Sequence, residues 1–277
     1  MDRVSLASFK PDICYFVCAT ARSGSTYFCD LLKNTKVAGN PVDHYLPQVI
    51  AENTKAWNIP EHDLVGYTGR LMEVTETGNR VFGVKIMWPE FVAYVVNGIC
   101  NGRIRQDARI IDSLSRVFPN PYFIYVKRLD RIGQAVSLAI ANQSNIWHKT
   151  VKNEIISNKD VVPVKKIKFN HRQIDRALSD CSLRDSQWMR FFRENNIKVF
   201  EVIYEELMRD PDKIVRDALE FLGVKNIKDI QIRTDLQRLS RQYSWIYTGW
   251  TIKYKFIKIF WKPASKLKQF IIKMIKK

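Results

Sequence analysis

The sequence from Ile13 to Asn34 predicts a β-strand, a short polar loop and an α-helix in immediate succession. Residues 13–19 form an apolar run that is too short for a helix and is bounded by turn-forming residues, which indicates a buried strand. After the loop, apolar residues recur at helical spacing from Tyr27 onward. The loop is therefore expected at a helix N-terminus, where unpaired backbone N–H groups and the helix dipole favour an anion.

The loop, Arg22-Ser23-Gly24-Ser25-Thr26, has the residue types of an anion-binding site. Gly24 lets the backbone approach the anion, Arg22 supplies a full charge, and the hydroxyl groups of Ser25 and Thr26 add hydrogen bonds. The P-loop of a nucleoside triphosphatase has a lysine after its last glycine, and here Ser25 stands in that place. The loop thus fits a single phosphate group better than a triphosphate. The alternative is that it is merely a polar helix cap.

Three further apolar runs predict strands, at residues 81–87, 122–126 and 197–203. Helical patterns alternate with them, which indicates an α/β fold with a P-loop-like central parallel sheet flanked by helices. Pro89 predicts the start of a helix directly after the first of these runs. Lys85 is unusual inside a strand, because a buried ammonium group must contact an anion or reach water.

A second candidate anion ligand, Arg128, follows the strand at 122–126. A cationic side chain at the carboxyl end of a strand faces the ligand crevice of an open α/β sheet. An ordinary ion pair, for example with Asp130, is the alternative. Asp130 also predicts the N-cap of the next helix, and Ser137 lies two turns into that helix.

Cysteine usage and hydropathy bear on the compartment and on metal binding. Five cysteines and four histidines show no metal-ligand spacing, which predicts free core thiols and no metal site. No signal peptide is visible, and no apolar run is as long as a membrane-spanning helix. We therefore expect a cytoplasmic protein.

The formal net charge is +17, and residues 251–277 contain nine lysines and no acidic residue. Such a balance fits nucleic acid, anionic lipid or an anionic cosubstrate. We expect one domain over residues 1–249 and a basic amphipathic helical tail over residues 250–277.

The tail has two apolar stripes at helical spacing, one on each side of Pro263. They consist of Ile252, Phe256, Ile259 and Phe260, and of Leu267, Phe270, Ile271, Met274 and Ile275. With lysines around them, these stripes predict peripheral binding to an anionic membrane surface. The alternative is a terminal helix that packs on the domain.

Several segments resemble sulfotransferases that use 3′-phosphoadenylyl sulfate (PAPS). RSGST at 22–26 resembles their 5′-phosphosulfate loop, and YVKRLDRIGQAVSLAIANQSNIW at 125–147 resembles their 3′-phosphate motif. GVKIMW at 83–88 and VAGNPVDHY at 37–45 resemble the bacterial branch typified by trehalose 2-sulfotransferase. YEELMRDPDKIVRDALEFLGV at 204–224 is similar to the C-terminal strand-helix unit of the superfamily.

The resemblance implies transfer of a sulfuryl group from PAPS to a carbohydrate or glycolipid hydroxyl, with adenosine 3′,5′-bisphosphate as product. It implies that residues 23–26 hold the 5′-phosphosulfate and that Arg128 and Ser137 hold the 3′-phosphate. Arg238 and Arg241 are expected to close over the nucleotide. The resemblance also suggests a homodimer.

The resemblance further points to a catalytic base. The trehalose branch has a glutamate base in a G-E-P-x-E stretch, which here reads Gly39-Asn40-Pro41-Val42-Asp43. Asp43 takes the base position with a shorter side chain, and Asn40 replaces the first glutamate, an acceptor contact. Both departures put trehalose itself in doubt. His44 is a competing base, because its ordinary pKa is nearer neutrality.

Arg22 is expected to stabilise charge on the bridging oxygen of the donor, and Lys85 to assist.

Two other classes of protein compete with the sulfotransferase interpretation. A P-loop kinase-like nucleotide enzyme needs a loop lysine, which is missing here. A non-enzymatic basic module that binds nucleic acid would have basic residues interleaved with stacking aromatics. The anion loops do not need such a module, and we expect no nucleic-acid partner.

Overall fold

The computed structural model describes residues 10–100, 110–149, 155–156, 161–232 and 245–259. The chain divides into two compact units. The first consists of Met1–Leu129 and Leu183–Leu236, and the second of Asp130–Ser182 and Gln237–Lys277.

A four-stranded sheet forms the centre of the first unit. Its strands are β1 (Ile13–Ala19), β2 (Val81–Met87), β3 (Tyr122–Lys127) and β6 (Val199–Ile203). They are all parallel and lie in the order β2-β1-β3-β6. β1 is buried along nearly its whole length, as apolar strands of parallel sheets are. The predicted α/β class with a central parallel sheet is confirmed.

Helices precede and follow these strands along the chain. In the first unit they are α1 (Ser25–Asn34), α2 (Pro47–Trp57), α3 (Leu64–Thr75), α4 (Trp88–Glu90), α5 (Ile110–Leu114), α8 (Tyr204–Arg209) and α9 (Pro211–Phe221). A π-helix, Phe91–Ile99, directly follows α4, where the sequence predicts an ordinary helix. Helices α1, α3 and α9 pack against the sheet.

The second unit contains α6 (Arg131–Ser144), a short antiparallel pair of β4 (His148–Lys149) and β5 (Ile155–Ile156), and α10 (residues 245–259). The long helix α7 (His171–Glu194) has residues in both units. α10 continues across residue 249, the predicted domain boundary. None of the described helices is both long and apolar enough to cross a membrane.

Aromatic side chains pack against the sheet and connect it to the last turns of α7. Phe16 of β1 stacks on Phe123 of β3, with ring centroids 5.3 Å apart. The rings of Phe91 and Trp188 lie 5.0 Å apart. Trp188 also donates from Nε1 to the carbonyl of Ala19, at 3.1 Å. The carboxyl end of β1 is thereby fixed at the point where the predicted anion loop begins.

The outer edge of β2 is covered by residues 37–43, which we call the edge loop. The backbone N–H of Lys85 donates to the carbonyl of Val42 at 3.0 Å. Gly39 has a φ of +69°, and a Cβ atom there would lie 2.8 Å from the carbonyl oxygen of Val81. The close approach of the edge loop to β2 therefore requires glycine at this position.

The five cysteines are all free and buried, as the sequence predicts for core thiols. Burial raises the pKa of the Cys14 thiol to about 12. Burial also raises the pKa of Cys18, Cys29 and Cys100, so these four thiols stay protonated at neutral pH and are poor nucleophiles.

Candidate active site

Residues 22–26, the anion loop, connect β1 to α1 as predicted. Arg22 and Gly24 have left-handed backbone conformations, with φ of 62° and 92°. α1 begins at Ser25, and its first intrahelical hydrogen bond runs from the N–H of Phe28 to the carbonyl of Gly24. N–H groups at a helix start, next to a left-handed residue, form a concavity suited to an anion.

The hydroxyl of Ser23 supports this assignment. Ser23 is fully buried, and its Oγ has no hydrogen-bond partner in the described part of the protein. Leaving a buried hydroxyl without a partner costs about 1–3 kcal/mol. A phosphate or sulfate oxygen on the anion loop would supply the missing partner.

Two guanidinium groups beside the anion loop influence each other electrostatically. Burial lowers the pKa of Arg22 to about 10, and the positive charge of Arg128 also lowers it, whereas Tyr204 acts in the opposite direction. Arg128 lies over the Tyr204 ring, 4.8 Å from its centroid, and its Nε is 4.0 Å from Glu205 Oε1. The two cations repel each other, so binding of anionic groups beside them would be favourable.

Lys85 connects the anion loop to the edge loop. Its side chain is only 3% exposed, and its Nζ lies 2.6 Å from Asp43 Oδ2. The same ammonium donates to the hydroxyl of Thr26 at 2.9 Å. The buried lysine thus contacts an anion, which is one of the two outcomes that the sequence allows, and that anion is the predicted base.

Asp43 and His44 have different surroundings although they are neighbours. Asp43 remains 28% exposed. His44 is buried, with its Nε2 2.8 Å from the carbonyl oxygen of Asn40. Burial lowers the pKa of His44, which keeps the ring neutral and makes Nε2–H the donor to that carbonyl. The side-chain oxygen of Asn40 is buried and has no partner among the described residues.

Tyr204 and Asp185 were missed by sequence reasoning. Tyr204, the first residue of α8, packs over Gly24. Asp185 of α7 accepts hydrogen bonds from the Thr20 hydroxyl at 3.0 Å and from the Tyr125 hydroxyl at 2.5 Å. Asp185 thereby anchors the entrance of the anion loop. No local sequence pattern predicts these contacts, because Thr20 and Asp185 are 165 residues apart.

The remaining predicted ligands are Ser137, Arg238 and Arg241. Ser137 is half-buried on α6 in the second unit. The predicted helix cap is confirmed, because Asp130 Oδ1 accepts from the N–H of Gly133 at 2.9 Å. Arg238 and Arg241 lie outside the described residues. Across the described ranges, no group of three or more His, Cys, Asp and Glu side chains is suited to a metal ion.

Comparison with known proteins adds the family. A trehalose 2-sulfotransferase of Mycolicibacterium smegmatis is 25% identical over 232 residues, covering 76% of this chain and 84% of that protein. A trehalose 2-sulfotransferase of Mycobacterium tuberculosis is 24% identical over 237 residues, with the same coverage. The sulfotransferase domain of the Synechococcus PCC 7002 olefin synthase aligns at 15% identity and a TM-score of 0.45, covering 92% of this chain and 91% of that domain.

The sequence model of one family, described as Stf0 sulphotransferase, matches residues 14–256. The match begins in β1, ahead of the anion loop, and extends into α10. It includes Lys85, Asp43 and Arg128. A match over most of the chain shows that this protein belongs to the Stf0 sulphotransferase family, in the branch of the trehalose 2-sulfotransferases.

Proposed function

We propose that the protein transfers a sulfuryl group from PAPS to a hydroxyl of a carbohydrate or glycolipid. The observation that carries the proposal is the position of the Lys85 ammonium, which contacts both Thr26 and Asp43. One buried cation thus connects a loop suited to the donor's 5′-phosphosulfate with a carboxylate suited to take the acceptor's proton.

On the donor side, the anion loop holds the 5′-phosphosulfate through backbone N–H groups and the Ser23 hydroxyl. Arg22 adds charge beside that group. Arg128 binds the 3′-phosphate together with Ser137, and Arg238 and Arg241 close over the nucleotide. The support for this assignment is the orphaned Ser23 hydroxyl, the paired guanidinium groups and the family membership.

In the reaction, the acceptor oxygen forms a bond to sulfur while the bond from sulfur to the bridging oxygen of PAPS breaks. The bridging oxygen keeps the electron pair, so adenosine 3′,5′-bisphosphate leaves with an added negative charge. Arg22 and Lys85 stabilise that charge. Transfer of this kind depends on positioning and charge stabilisation, and no step assigned to these residues uses a metal.

Asp43 is the proposed base that accepts the acceptor's proton. His44 is less suited, because its Nε2–H already donates to Asn40 and burial disfavours its protonated form. Asp43 is the more exposed of the two. When an anionic donor occupies the anion loop, Lys85 gains a second anion to contact, and Asp43 becomes available for the proton.

The acceptor is proposed to be a carbohydrate because both curated relatives are named trehalose 2-sulfotransferases. Trehalose itself fits less well. Asn40 and Asp43 replace the two glutamates of that branch, which removes one charge and shortens both side chains. We therefore favour a different sugar or a glycolipid.

The surface of α10 supports a membrane-proximal acceptor. One helical stripe of large apolar side chains is 60 to 72% exposed, and it consists of Trp245, Ile252, Phe256 and Ile259. Lys253 and Lys255, both exposed, lie on either side of that stripe. An apolar stripe with flanking lysines is suited to an anionic membrane surface, which would place the protein at the cytoplasmic face.

The opposite face of α10 packs within the second unit. Tyr254 is buried there and donates a hydrogen bond to Asp175 at 2.7 Å. The second predicted stripe, in residues 264–277, lies outside the described residues. Membrane binding by the tail and the homodimer implied by the family remain proposals.

The test uses the full chain, isotopically labelled PAPS and a panel of sugars, glycolipids and polysaccharides, with products identified by mass spectrometry. We expect a sulfated product and adenosine 3′,5′-bisphosphate, with full activity in the presence of a metal chelator. Phosphoryl transfer from ATP with no turnover of PAPS would contradict the proposal. Retention on immobilised adenosine 3′,5′-bisphosphate measures the donor site separately.

A further inference from the structure

Glu90 lies beside the candidate active site and has no role in the reaction described so far. It ends α4, which directly follows the carboxyl end of β2. Ala19 at the end of β1 pairs with Met87 at the end of β2. The anion loop and α4 therefore leave the sheet side by side, at the edge where open α/β sheets bind ligands.

The backbone around Glu90 is held by aromatic packing on both sides. The ring of Trp88 meets Trp188 edge to face, with centroids 4.9 Å apart. The ring of Phe91 meets Phe191 in the same way at 5.0 Å. The backbone that carries Glu90 is therefore fixed in position, which is one condition for a preorganised ligand contact.

The carboxylate of Glu90 is only partly satisfied. Its Oε2 is buried and has no hydrogen-bond partner in the described part of the chain. Burial raises the pKa of Glu90, and the Asp43 carboxylate also raises it, whereas Arg184 acts in the opposite direction. Glu90 is thus within electrostatic range of the proposed base.

A purely structural role does not account for this arrangement. Glu90 is half-buried, but its Oε2 atom is buried, and a buried carboxylate oxygen that serves stability is normally hydrogen-bonded, because an unpaired one destabilises the fold. The orphaned Oε2 is a buried acceptor atom at the same edge of the sheet as the anion loop, so it fits a ligand that presents an O–H donor there.

We infer that Glu90 is a specificity-determining residue of the acceptor site, where its Oε2 accepts a hydrogen bond from a second hydroxyl of the acceptor. This inference rests on the proposed function. It assigns the acceptor to the polyols, since a simple alcohol has no second hydroxyl to donate. Asn40 on the edge loop also has an orphaned buried side-chain oxygen.

The test compares Glu90→Met, which keeps the side-chain volume but removes both oxygens, with Glu90→Gln, which keeps one acceptor oxygen. The acceptor probes are trehalose, methyl α-glucoside and the monodeoxy analogues of that glucoside. For Glu90→Met we expect the acceptor KM to rise about 10- to 100-fold, with kcat and the Kd of adenosine 3′,5′-bisphosphate within about twofold of wild type. The acceptor KM of Glu90→Gln should lie between those of the wild type and Glu90→Met.

The deoxy analogues identify the contact itself. With the wild-type protein, the analogue that lacks the contacted hydroxyl should have an acceptor KM raised by the same factor. With Glu90→Met, loss of that hydroxyl should not raise the acceptor KM further. Glu73→Gln, a substitution in the exposed ion pair with Arg70, is the matched control and should leave all constants unchanged. Thermal unfolding of each variant checks that the fold is intact.

Three outcomes would overturn the inference. An unchanged acceptor KM in both Glu90 variants removes the residue from the acceptor site. A fall in kcat of more than 100-fold with an unchanged KM makes Glu90 the base instead. Wild-type protein that binds adenosine 3′,5′-bisphosphate but sulfates no sugar, glycolipid or polysaccharide of the full panel contradicts the acceptor assignment, whereas failure to bind the nucleotide contradicts the donor side of the proposed function.

Discussion

The Tyr204 ring packs so closely over Gly24 that a Cβ atom at Gly24 would lie 2.3 Å from Cδ2 of the ring. The same ring lies 4.8 Å from the guanidinium carbon of Arg128. One aromatic side chain therefore connects the glycine of the anion loop with the arginine assigned to the 3′-phosphate. The shape of the anion loop and the position of Arg128 depend on each other through Tyr204.

The first prediction concerns Gly24→Ala. The substitution forces a side chain into a left-handed conformation and against the Tyr204 ring, so the free energy of unfolding should fall by about 2–4 kcal/mol. Gly223→Ala is the control, because Gly223 has a φ of +76° but nothing within 4 Å of the added Cβ atom. The free energy of unfolding of Gly223→Ala, measured in urea titrations, should fall by only about 1–2 kcal/mol. Equal losses would contradict the close packing of Tyr204.

The second prediction concerns the 3′-phosphate. Arg128→Ala should raise the Kd of adenosine 3′,5′-bisphosphate about 10- to 100-fold, because a charge-assisted hydrogen bond contributes roughly 1.5–3 kcal/mol. Ser137→Ala should have a smaller effect of the same sign. Arg190→Ala removes an exposed arginine paired with Glu194 and should leave the Kd unchanged in calorimetric titrations. An unchanged Kd in both site variants would remove Arg128 and Ser137 from the nucleotide site.

The third prediction concerns the base. Asp43→Asn should lower kcat by about 10²–10⁴-fold, because loss of a general base has an effect of that size. The Kd of adenosine 3′,5′-bisphosphate should change little, since Asp43 belongs to the acceptor side. His44→Gln should retain most of the activity. The assignment is wrong if His44→Gln abolishes turnover and Asp43→Asn does not.

The fourth prediction concerns stability against pH. Burial lowers the pKa of His44, so the unfolded chain binds a proton near pH 6.5 that the folded chain does not yet accept. The free energy of unfolding should therefore fall as the pH drops below about 6.5. His44→Gln should reduce this fall between about pH 7 and pH 5. His62→Gln, at an exposed position, should keep the wild-type slope in denaturant titrations at each pH.

The fifth prediction concerns the apolar stripe of α10. The double variant Ile252→Ser/Phe256→Ser should weaken co-sedimentation with vesicles of high anionic-lipid content while leaving the thermal unfolding temperature nearly unchanged, because both side chains are exposed. The control is Leu183→Ser/Met189→Ser, which removes two exposed apolar side chains from α7. Equal binding by the wild type and the α10 variant would exclude this stripe as the membrane contact.

The sequence predicts the parallel strands and the anion loop well because these features are local. β1 and β2 have the predicted bounds, since an apolar run between turn formers leaves little freedom of assignment. β6 begins two residues later than predicted, at Val199. Lys85 was informative because a buried charge needs a partner, although the identity of that partner depends on the fold.

What the sequence does not predict depends on contacts distant along the chain. The packing of Tyr204 over Gly24 joins residues from the two separate sequence segments of the first unit, and no periodicity in the sequence predicts it. The π-helix after α4 is also missed, because apolar spacing does not separate a π-helix from an α-helix. Glu90 has an ordinary sequence context, and only its buried, partnerless oxygen distinguishes it.

The edge loop has a consequence for changes of acceptor preference. Its residues both present Asp43 and cover the outer side of β2, where Val42 accepts from the N–H of Lys85. Substitutions that loosen this loop to admit a new sugar would also expose the outer edge of β2. An exposed strand edge has unpaired backbone groups and can pair with a strand of another chain. Selection for new acceptors is therefore constrained by aggregation, and variants of this loop should be screened for solubility alongside turnover.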